Sequence, residues 1–530
     1  MRDRAERWGD REQFRFGEQR ISFRAAHERS DRLARVLGDH GVERGDRVAV
    51  MLENGPDYPI AWFAIAKAGA LMVPVNVQYR DADLRHVLDH SGARVVLTRS
   101  DHVELVHRAR SGDGDPLRVL VLGDVDGPSG AAGIDGELEG VGPLEPPGLA
   151  PPDPEQHDLL NLQYTSGTTG FPKACMLTHG YWLRLGELAA EVLDLTDADV
   201  ILTAQPFSYM DPQWNTVVGL VCGAPLVILP RFSASTFWDS VREHGVTFFY
   251  CLGTMPLFLL KQPGTPADRD HRVRMVACSG IVPHLHAELE RRWGVPWREA
   301  YGMTETGVDL YVPVEATQTL GTGAMGRPVP TKQVRVIDPS IGAEVPRGGT
   351  GELTVRGEPM MLGYWNDPEA TADTIRDGWL HTGDLVHEDE HGYYHLVGRL
   401  KDMIRRSGEN VAAAEVEAVL ADHPAVLAVA VVPVPDEDRG EEVKAFVQLR
   451  PGHVPGRDTA VDVVDHAAHR LARFKVPRFV EFVDEFPMTP SERIAKHELL
   501  AGAGDPRANA HDIAATGAAG QSMASNQGEV

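Results

Sequence analysis

One short run of the sequence concentrates small, hydroxyl-bearing and positively charged side chains. Residues 161–180 read NLQYTSGTTGFPKACMLTHG, and the segment 165–173 contains one serine, three threonines, two glycines and a lysine. Glycine allows the backbone to approach a ligand closely, and successive backbone N–H groups in a turn form a concavity for anions. Lysine adds a positive charge on a flexible stem. This composition predicts a phosphate-binding loop.

The run does not match a Walker A loop, because Phe171 and Pro172 separate Gly170 from Lys173. A flexible linker has a similar composition and is the alternative interpretation of this run taken alone. Two other segments argue against a linker. YGMTETG (301–307) follows the strand-like WREA, and GWLHTGDL (378–385) precedes GYYHLVGRLKD (392–402).

Taken together and in this order, these segments resemble the adenylate-forming superfamily of acyl-CoA synthetases, luciferases and peptide-synthetase adenylation domains. The resemblance covers about residues 10 to 500 and is strongest to CoA ligases of the crotonobetaine/carnitine type. It implies that a carboxylic acid and ATP form an acyl-adenylate with release of pyrophosphate. CoA, as the co-substrate, then takes the acyl group as a thioester. Mg²⁺ is the implied metal ion.

The resemblance also implies the roles of individual residues in binding ATP. Thr304 would hydrogen-bond the α-phosphate, and Glu305 would bind Mg²⁺, a hard cation suited to a carboxylate. Asp384 would accept hydrogen bonds from the ribose hydroxyls, with Arg399 nearby. The residues expected around the β- and γ-phosphates are Thr165, Ser166, Gly167, Thr168, Thr169, Gly170 and Lys173, and those expected around the adenine are Ser279, Gly280, Ile281, Glu299, Ala300, Tyr301 and Gly302.

Plainer interpretations exist for each of these residues when it is considered alone. Tyr301 is expected to stack on the adenine ring, but by itself it is compatible with an ordinary core aromatic residue. Glu305 alone is compatible with a solvated surface carboxylate, and Asp384 with a turn residue beside Gly383. The order of the motifs favours the functional interpretation.

The C-terminal part carries the residues expected to act on the adenylate. Lys401 matches the hinge of the family, and Gly408 lies in a segment, RRSGENVAAAEVE, that resembles the lining of the pantetheine tunnel. Glycine fits there because a side chain would block the thiol, although an ordinary turn before a helix is the alternative. Near the end, SERIAK places Arg493 where the superfamily has a catalytic lysine, with Lys496 three residues further on. The sequence leaves open whether Arg493, Lys496 or neither takes that role.

The expected acyl pocket departs from the usual family pattern. In QPFSYMDPQWN (205–215), Tyr209 replaces a common histidine and Asp211 replaces a common asparagine. Trp214 and Met303 complete the expected lining. A carboxylate there suits an acid that carries a cation or an amino group, such as a crotonobetaine- or carnitine-like acid. The alternative is that Asp211 caps a turn before Pro212.

Two other functions are compatible with the sequence. One is an adenylating enzyme of a specialised biosynthetic pathway whose acceptor is an amine, a carrier-protein thiol or a nitrite-type oxyanion. The other is a nucleotide-binding scaffold without efficient catalysis, which depends only on the replacement at Arg493.

The first half of the chain alternates helical and extended patterns. Ser22 is a candidate N-cap for a helix through about Leu37, residues 45–52 have a strand pattern, and Thr178 precedes a helical pattern over about 179–194. Such alternation predicts an α/β domain with a largely parallel sheet. Residues 398–410 mark a change, followed by a helix (411–421), two strands (425–434 and EEVKAFVQL) and a helix (459–473).

The predicted organisation is an N-terminal adenylation domain (1–398) built from α/β subdomains, a hinge (399–402), a small mobile α+β domain (403–500) and a disordered tail (501–530) rich in Ala, Gly, Ser and Asn. The net charge of −25 argues against nucleic acid or an anionic membrane as a partner. The four cysteines show no metal-binding spacing, and neither a signal peptide nor a membrane span is evident. A cytoplasmic location is expected, and a homodimer is left open.

Overall fold

The computed structural model describes residues 1–109, 117–123, 131–140, 155–165, 172–407, 409–436, 439–488, 494–500 and 505–513. The chain divides into two compact units. The first contains residues 1–334 and 355–380, and the second contains residues 335–354 and those described from 381 onward.

The helices and strands follow one another along the chain with short connections. The helices are α1 (Arg2–Trp8), α2 (Phe23–Asp39), α3 (Asp57–Lys67), α4 (Asp81–Ser91), α5 (Val103–Ala109), α6 (Asp135–Gly140), α7 (His179–Val192), α8 (Met210–Cys222), α9 (Phe237–Glu243), α10 (Met255–Lys261), α11 (Pro283–Trp293), α12 (Pro368–Thr374), α13 (Ala413–Ala421), α14 (Arg457–Ala468) and α15 (Lys496–Leu500). The strands are β1 (Glu12–Phe16), β2 (Gln19–Ser22), β3 (Arg47–Met51), β4 (Leu71–Pro74), β5 (Val95–Thr98), β6 (Arg118–Val121), β7 (Ala132–Gly133), β8 (Leu159–Thr165), β9 (Lys173–Thr178), β10 (Ile201–Thr203), β11 (Leu226–Ile228), β12 (Phe248–Leu252), β13 (Met275–Ser279), β14 (Trp297–Met303), β15 (Gly307–Tyr311), β16 (Ala324–Pro328), β17 (Lys332–Ile337), β18 (Thr350–Gly357), β19 (Ile375–Arg376), β20 (Trp379–Glu388), β21 (Tyr394–Arg399), β22 (Met403–Arg406), β23 (Glu409–Ala412), β24 (Val426–Asp436), β25 (Gly440–Leu449), β26 (Phe479–Phe482) and β27 (His511–Asp512).

A mainly parallel sheet in the first unit contains both ends of the predicted phosphate loop. Its strand order is β7-β6-β5-β3-β4-β8-β9, and its strands are parallel except for the antiparallel β8–β9 pair. The strands β3 to β5 are almost fully buried, as expected for a sheet covered on both faces. In the β8–β9 pair, Thr165 lies opposite Lys173, so the two ends of the predicted phosphate loop are neighbours.

A second sheet of the first unit has the order β16-β15-β14-β13-β12-β10-β11-β1-β2. The strands from β14 to β1 are parallel, whereas β14–β15, β15–β16 and β1–β2 are antiparallel pairs. Strand β13 ends at Ser279, and β14 continues to Met303. Both predicted adenine-side segments therefore lie on adjacent strands of one sheet.

The second unit contains most residues of the strands β17, β18, β20 and β21, which pair in that order, and a sheet with the order β23-β22-β25-β26-β27, in which β24 pairs with β25. Residue 398 falls within this unit, in which Thr382 Oγ1 donates to Leu353 O and Gly348 N–H donates to Glu388 O, and the domain boundary predicted there stays a prediction. The hinge at Lys401 lies in a 3₁₀ turn, Leu400–Asp402, and its role stays a prediction.

Residues 505–513 differ from the disordered tail that composition predicts. Strand β27 pairs antiparallel with β26, and Arg478 binds the Asp512 carboxylate at 3.0 Å. A free strand edge and a nearby arginine order this part of the segment, and neither of them is visible in its own composition.

Most predicted elements are present. Ser22 Oγ accepts the Ala25 N–H at 3.1 Å and begins α2, and Thr178 Oγ1 accepts the Tyr181 N–H at 3.0 Å and begins α7. The helix predicted over 459–473 instead ends at Ala468. At its end the Arg470 and Leu471 N–H groups both donate to the Ala467 carbonyl, and further along the chain the Arg406 guanidinium donates to the carbonyls of Arg473 and Phe474 in a 3₁₀ turn. Among the described residues, we find no helix long and apolar enough to cross a membrane.

Candidate active site

The hairpin formed by β14 and β15 presents the YGMTETG segment at its tip. Met303 lies opposite Gly307, and Gly302 lies opposite Val308. A Cβ on Gly302 would overlap the carbonyl oxygen of Gly307, and Gly307 itself has a φ of +77°. Both glycines are therefore required to close the turn that presents Thr304 and Glu305.

A buried polar cluster below this turn holds it in place. Thr306 Oγ1 donates to Asp309 Oδ2 at 2.5 Å, and Lys332 Nζ lies 3.5 Å from Asp309 Oδ1, with both charged side chains fully buried. Lys332 Nζ also donates to the carbonyls of Thr306 at 2.8 Å and of Pro359. Burial raises the pKa of Asp309 and lowers that of Lys332, and each charge opposes the change in the other. Removing either charge would leave the other buried without its partner.

Glu305 is buried and its carboxylate is held in one orientation. Tyr364 Oη donates to Glu305 Oε1 at 2.8 Å, while the Met361 N–H donates to the Glu305 backbone carbonyl at 2.7 Å. Burial, and next the Glu305 charge, raise the pKa of the Cys175 thiol, which places this thiol beside the carboxylate. Lys173 Nζ lies 5.1 Å from the centre of the Tyr364 ring. The structure therefore brings Lys173, Glu305 and Thr165, which pairs with Lys173, into one region.

The remaining residues of the predicted phosphate loop, Ser166, Gly167, Thr168, Thr169 and Gly170, lie outside the described residues. Thr304 is half-buried, and its carbonyl accepts a hydrogen bond from Tyr181 Oη at 2.9 Å. Its side chain belongs to the same hairpin tip as Glu305. A phosphate role for these residues stays a prediction.

The predicted adenine-side turn has the expected shape. Ser279 ends β13, and Gly280 has a φ of +87°. The Glu299 carboxylate accepts the Gly280 N–H at 2.6 Å and the Ile281 N–H at 2.8 Å. Ala300, Tyr301 and Gly302 continue along β14 from Glu299. Burial raises the pKa of Glu299 to about 8, although the two N–H donors act in the opposite direction.

Replacing Glu299 with glutamine should weaken this turn. The amide nitrogen of glutamine would face one of the two N–H groups, so that one buried donor loses its acceptor, at a cost of about 1–3 kcal/mol. At pH 4.5 or below, where Glu299 is neutral in the folded protein, we expect the unfolding midpoint to fall by a few degrees in differential scanning fluorimetry. Glu288→Gln, an exposed change on α11, is the matched control. An unchanged midpoint would contradict this assignment.

The folding stability of the unaltered protein and that of Glu299→Gln should respond differently to pH. Because the folded-state pKa of Glu299 lies above its usual 4.5, ionising the group opposes folding. The unaltered protein should therefore lose stability as pH rises from 4.5 to about 8, and Glu299→Gln should lack this part of the loss. A pH-independent difference between the two proteins would show that Glu299 titrates normally.

Of the predicted acyl-pocket residues, Trp214 is linked to the adenine-side turn through Tyr250. The Trp214 and Tyr250 rings meet edge to face at 5.4 Å, and Tyr250 Oη donates to Ser279 Oγ at 2.7 Å. Ser279 Oγ in turn donates to the Ala300 carbonyl. Burial, and next the charge of Asp211, raise the pKa of Tyr250.

Tyr209 and Asp211 lie at the start of α8. Tyr209 is the N-cap residue, and its hydroxyl accepts a hydrogen bond from Asn76 Nδ2 at 3.3 Å. Asp211 occupies the first turn, where a carboxylate interacts favourably with the helix N-terminus. Met303 is half-buried and packs against the main core of the first unit. The structural role open to Asp211 is therefore an interaction with the N-terminus of α8. The alternative expected from the sequence was a cap at Asp211, but the cap residue is Tyr209.

In the second unit, Asp384 and Arg399 face each other across β20 and β21. Arg399 Nε lies 2.8 Å from Asp384 Oδ1, and the aspartate side chain is only 3% exposed. Gly383, with a φ of +70°, donates its N–H to Glu352 Oε1 at 3.1 Å. The predicted proximity of Asp384 and Arg399 is therefore present, whereas their contact with a ribose stays a prediction.

Lys496 is engaged within the second unit. Its Nζ lies 2.7 Å from Glu417 Oε1 and 4.0 Å from Asp402 Oδ2. Arg493, the other candidate for the catalytic cation, lies outside the described residues, as does Gly408. The structure thus gives Lys496 a local partner that the sequence did not suggest.

Several side chains that shape the site are not predicted from the sequence. Tyr364, Tyr250 and Tyr181 each bond a predicted site residue from another segment of the chain. Lys332, in a strand that contains none of the motifs, donates to the Thr306 carbonyl in the hairpin. The GYW at 363–365 is the one local signal that could have directed attention to Tyr364.

The residues present fit a magnesium ion held mainly by substrate. Mg²⁺ usually keeps several waters and binds one or two carboxylates together with phosphate oxygens. Glu305 supplies one oriented carboxylate, and among the described residues no group of three or more His, Cys, Asp or Glu side chains could hold a metal ion without substrate.

The sequence matches two protein-family models and individual proteins of known activity. Residues 1–365 match the family model described as AMP-binding enzyme, and residues 415–493 match the AMP-binding enzyme C-terminal domain. A crotonobetaine/carnitine–CoA ligase of Salmonella paratyphi A is 30% identical over 518 residues, which cover 94% of this chain and 97% of that protein.

Solved structures agree with these matches. ATP-bound MatB from Rhodopseudomonas palustris has a TM-score of 0.82 at 28% identity, over 92% of this chain and 95% of that one. The O-succinylbenzoate coenzyme A synthetase MenE of Bacillus subtilis, in complex with AMP, has a TM-score of 0.81 at 26% identity, over 94% of this chain and 97% of that one.

Proposed function

Because the chain belongs to the AMP-binding enzyme family and is an AMP-forming acid–thiol ligase, we propose that its acid substrate carries a positively charged group. The enzyme activates a carboxylic acid with ATP and then transfers the acyl group to CoA. In the first step, a carboxylate oxygen bonds to the α-phosphorus and pyrophosphate leaves. In the second step, the CoA sulfur bonds to the acyl carbon and AMP leaves.

The first step brings two anions together, so the protein must neutralise and align them. Lys173 would supply a cation to the phosphates, and Thr304 a hydroxyl donor to the α-phosphate. Glu305, oriented by Tyr364, would hold the metal ion. When bound, Mg²⁺ neutralises charge on the phosphates. The contact between Glu305 and Tyr364 is the observation that best supports this arrangement.

The residues of the predicted acyl pocket support the proposal that the substrate is cationic. Asp211 and Trp214 belong to α8, the Asp211 charge raises the pKa of Tyr250, and the Tyr250 ring meets Trp214 edge to face. A carboxylate and two aromatic rings can together stabilise an ammonium group by charge attraction and by cation–π contact. The relative from Salmonella paratyphi A is named for crotonobetaine and carnitine, which are themselves trimethylammonium acids.

A pyrophosphate-release screen tests this proposal. We would offer betaine, amino-substituted, aromatic and plain aliphatic acids, each with and without CoA, and expect the cationic acids to give the highest kcat/KM. Asp211→Asn should raise the KM of the best cationic acid roughly tenfold. Asp239→Asn, which changes an exposed carboxylate in the first turn of α9, controls for the effect of a helix terminus. Equal use of uncharged acids by the unaltered enzyme would exclude the cation site.

A substitution at Gly408 tests whether this residue lines the path of the CoA thiol. We expect Gly408→Leu to leave acyl-AMP formation nearly unchanged and to slow thioester formation roughly a hundredfold, since the added side chain would displace the thiol from the acyl carbon. The two half-reactions are measured separately, by ATP–pyrophosphate exchange and from synthetic acyl-AMP. Gly136→Leu, at an exposed position of α6 with open space around it and no positive φ, is the control.

An equal loss in both half-reactions would contradict the tunnel assignment of Gly408. An absence of CoA-dependent turnover in the unaltered enzyme would instead favour an amine, carrier-protein thiol or oxyanion acceptor. Rotation about Lys401, a cytoplasmic location and a homodimer are further parts of the proposal.

A further inference from the structure

Two histidines on one face of α4 contact both flanks of the predicted phosphate loop. His86 Nε2 lies 3.2 Å from the Pro172 carbonyl oxygen, and His90 Nδ1 lies 2.9 Å from Tyr164 Oη. Tyr164 immediately precedes Thr165, and Pro172 immediately precedes Lys173. One helix therefore bonds to the chain on each side of the loop.

The proton positions follow from the partners. A carbonyl oxygen only accepts, so His86 donates from Nε2 to Pro172. Tyr164 Oη donates to the Val87 carbonyl at 3.3 Å, and its oxygen is then available to accept from His90 Nδ1. Both contacts thus use a ring N–H that a neutral histidine can supply.

The two rings also stabilise each other's placement. They stack at 5.4 Å with an interplanar angle of 17°, and Tyr164 meets both edge to face at 6.2 and 5.8 Å. Asn366 Nδ2 donates to the His90 carbonyl at 3.4 Å. Burial, and next His86, lower the pKa of His90, while Asp367 acts in the opposite direction.

The β8–β9 register relates the positions of Tyr164 and Pro172 to those of Thr165 and Lys173. In the β8–β9 pair, Tyr164 lies opposite Ala174 and Thr165 lies opposite Lys173. Fixing Tyr164 and Pro172 therefore fixes where Thr165 and Lys173 leave the sheet. A small displacement of such groups from their ligand lowers both affinity and rate.

We propose that His86 and His90 are positioning residues for ATP, holding Thr165 and Lys173 at the phosphates through Tyr164 and Pro172. This inference depends on the proposed function, because it assumes that Thr165 and Lys173 bind ATP. Neither histidine touches the nucleotide in this scheme. Their effect should fall on ATP rather than on the acid.

The test compares KM values for ATP and for the acid in ATP–pyrophosphate exchange. His86→Leu removes the donor to Pro172 and should raise the KM for ATP roughly fivefold to tenfold, as expected for one lost hydrogen bond. The KM for the acid should stay within about twofold. His86→Gln, whose amide nitrogen can donate from a similar position, should restore most of the ATP affinity.

Tyr164→Phe provides a second variant, because it removes the acceptor of His90 while keeping the ring. His102→Leu, at a histidine that bonds Glu53 outside this region, is the control. Binding of Mg·ATP without acid, measured by calorimetry, separates ATP binding by the unaltered protein from the effect of the two histidines on it. An unaltered protein that binds no ATP would overturn both the proposed function and this inference.

Unchanged ATP affinity in folded His86→Leu and Tyr164→Phe proteins would overturn the inference alone. So would a parallel rise in both KM values, or a failure of glutamine to restore ATP affinity, because each points to a general structural effect.

Discussion

Glu305→Gln should remove Mg²⁺-dependent adenylation while leaving the protein folded. Glutamine keeps an oxygen that can accept the hydrogen bond from Tyr364, so the packing around the side chain is preserved. It loses the charge that would hold the metal ion, and metal stabilisation of phosphoryl charge contributes several kcal/mol. We therefore expect the exchange rate to fall by roughly a thousandfold or more.

The measurement is ATP–pyrophosphate exchange over a range of Mg²⁺ concentrations, together with the thermal unfolding midpoint. Glu315→Gln makes the same chemical change at an exposed carboxylate and should retain full activity. Tyr364→Phe should lower activity less than Glu305→Gln, because it frees the carboxylate without removing it. Full activity of folded Glu305→Gln would exclude this residue from the metal site.

Arg493→Ala should slow adenylation on the order of a hundred- to a thousandfold. If Arg493 has replaced the usual lysine, it places a cation at the carboxylate and α-phosphate oxygens. Losing one positioned donor to developing charge costs roughly 3–4 kcal/mol. Arginine keeps the charge but not the compact ammonium of lysine, so Arg493→Lys should retain part of the rate.

Lys496→Ala supplies the contrasting result. Its ammonium pairs with Glu417, whose pKa is raised by burial and lowered by Lys496, and which also accepts the Val431 N–H at 2.6 Å. Loss of this partner should destabilise the second unit by roughly 1–2 kcal/mol. Adenylation should stay near that of the unaltered enzyme.

Rates are compared with unfolding midpoints for both variants, and the thioester half-reaction is started from synthetic acyl-AMP. That half-reaction should be unaffected by either change. A large loss of adenylation in Lys496→Ala, with little in Arg493→Ala, would reverse the assignment. Near-normal rates in both would mean that this cation is dispensable here.

Local sequence determined the pieces of the site. The Thr165–Lys173 run, the YGMTETG hairpin and the turn at Ser279 are recognisable because each depends on residues that are close together in the chain. The same holds for the caps of α2 and α7, where a hydroxyl bonds an N–H three residues later. The alternation of helix and strand was enough to predict the largely parallel sheet.

The tertiary structure alone decided how these pieces are supported. Tyr364 reaches Glu305 across 59 residues, His86 reaches Pro172 across 86, and Lys332 reaches Thr306 across 26. No periodicity encodes such contacts, because the segments meet only when the strands assemble. The same reason explains why Arg406 bonds the turn at Arg473–Lys475 and why residues 511–512 pair with β26. Sequence identifies groups that can do chemistry, whereas assembly of distant segments determines which side chains orient them.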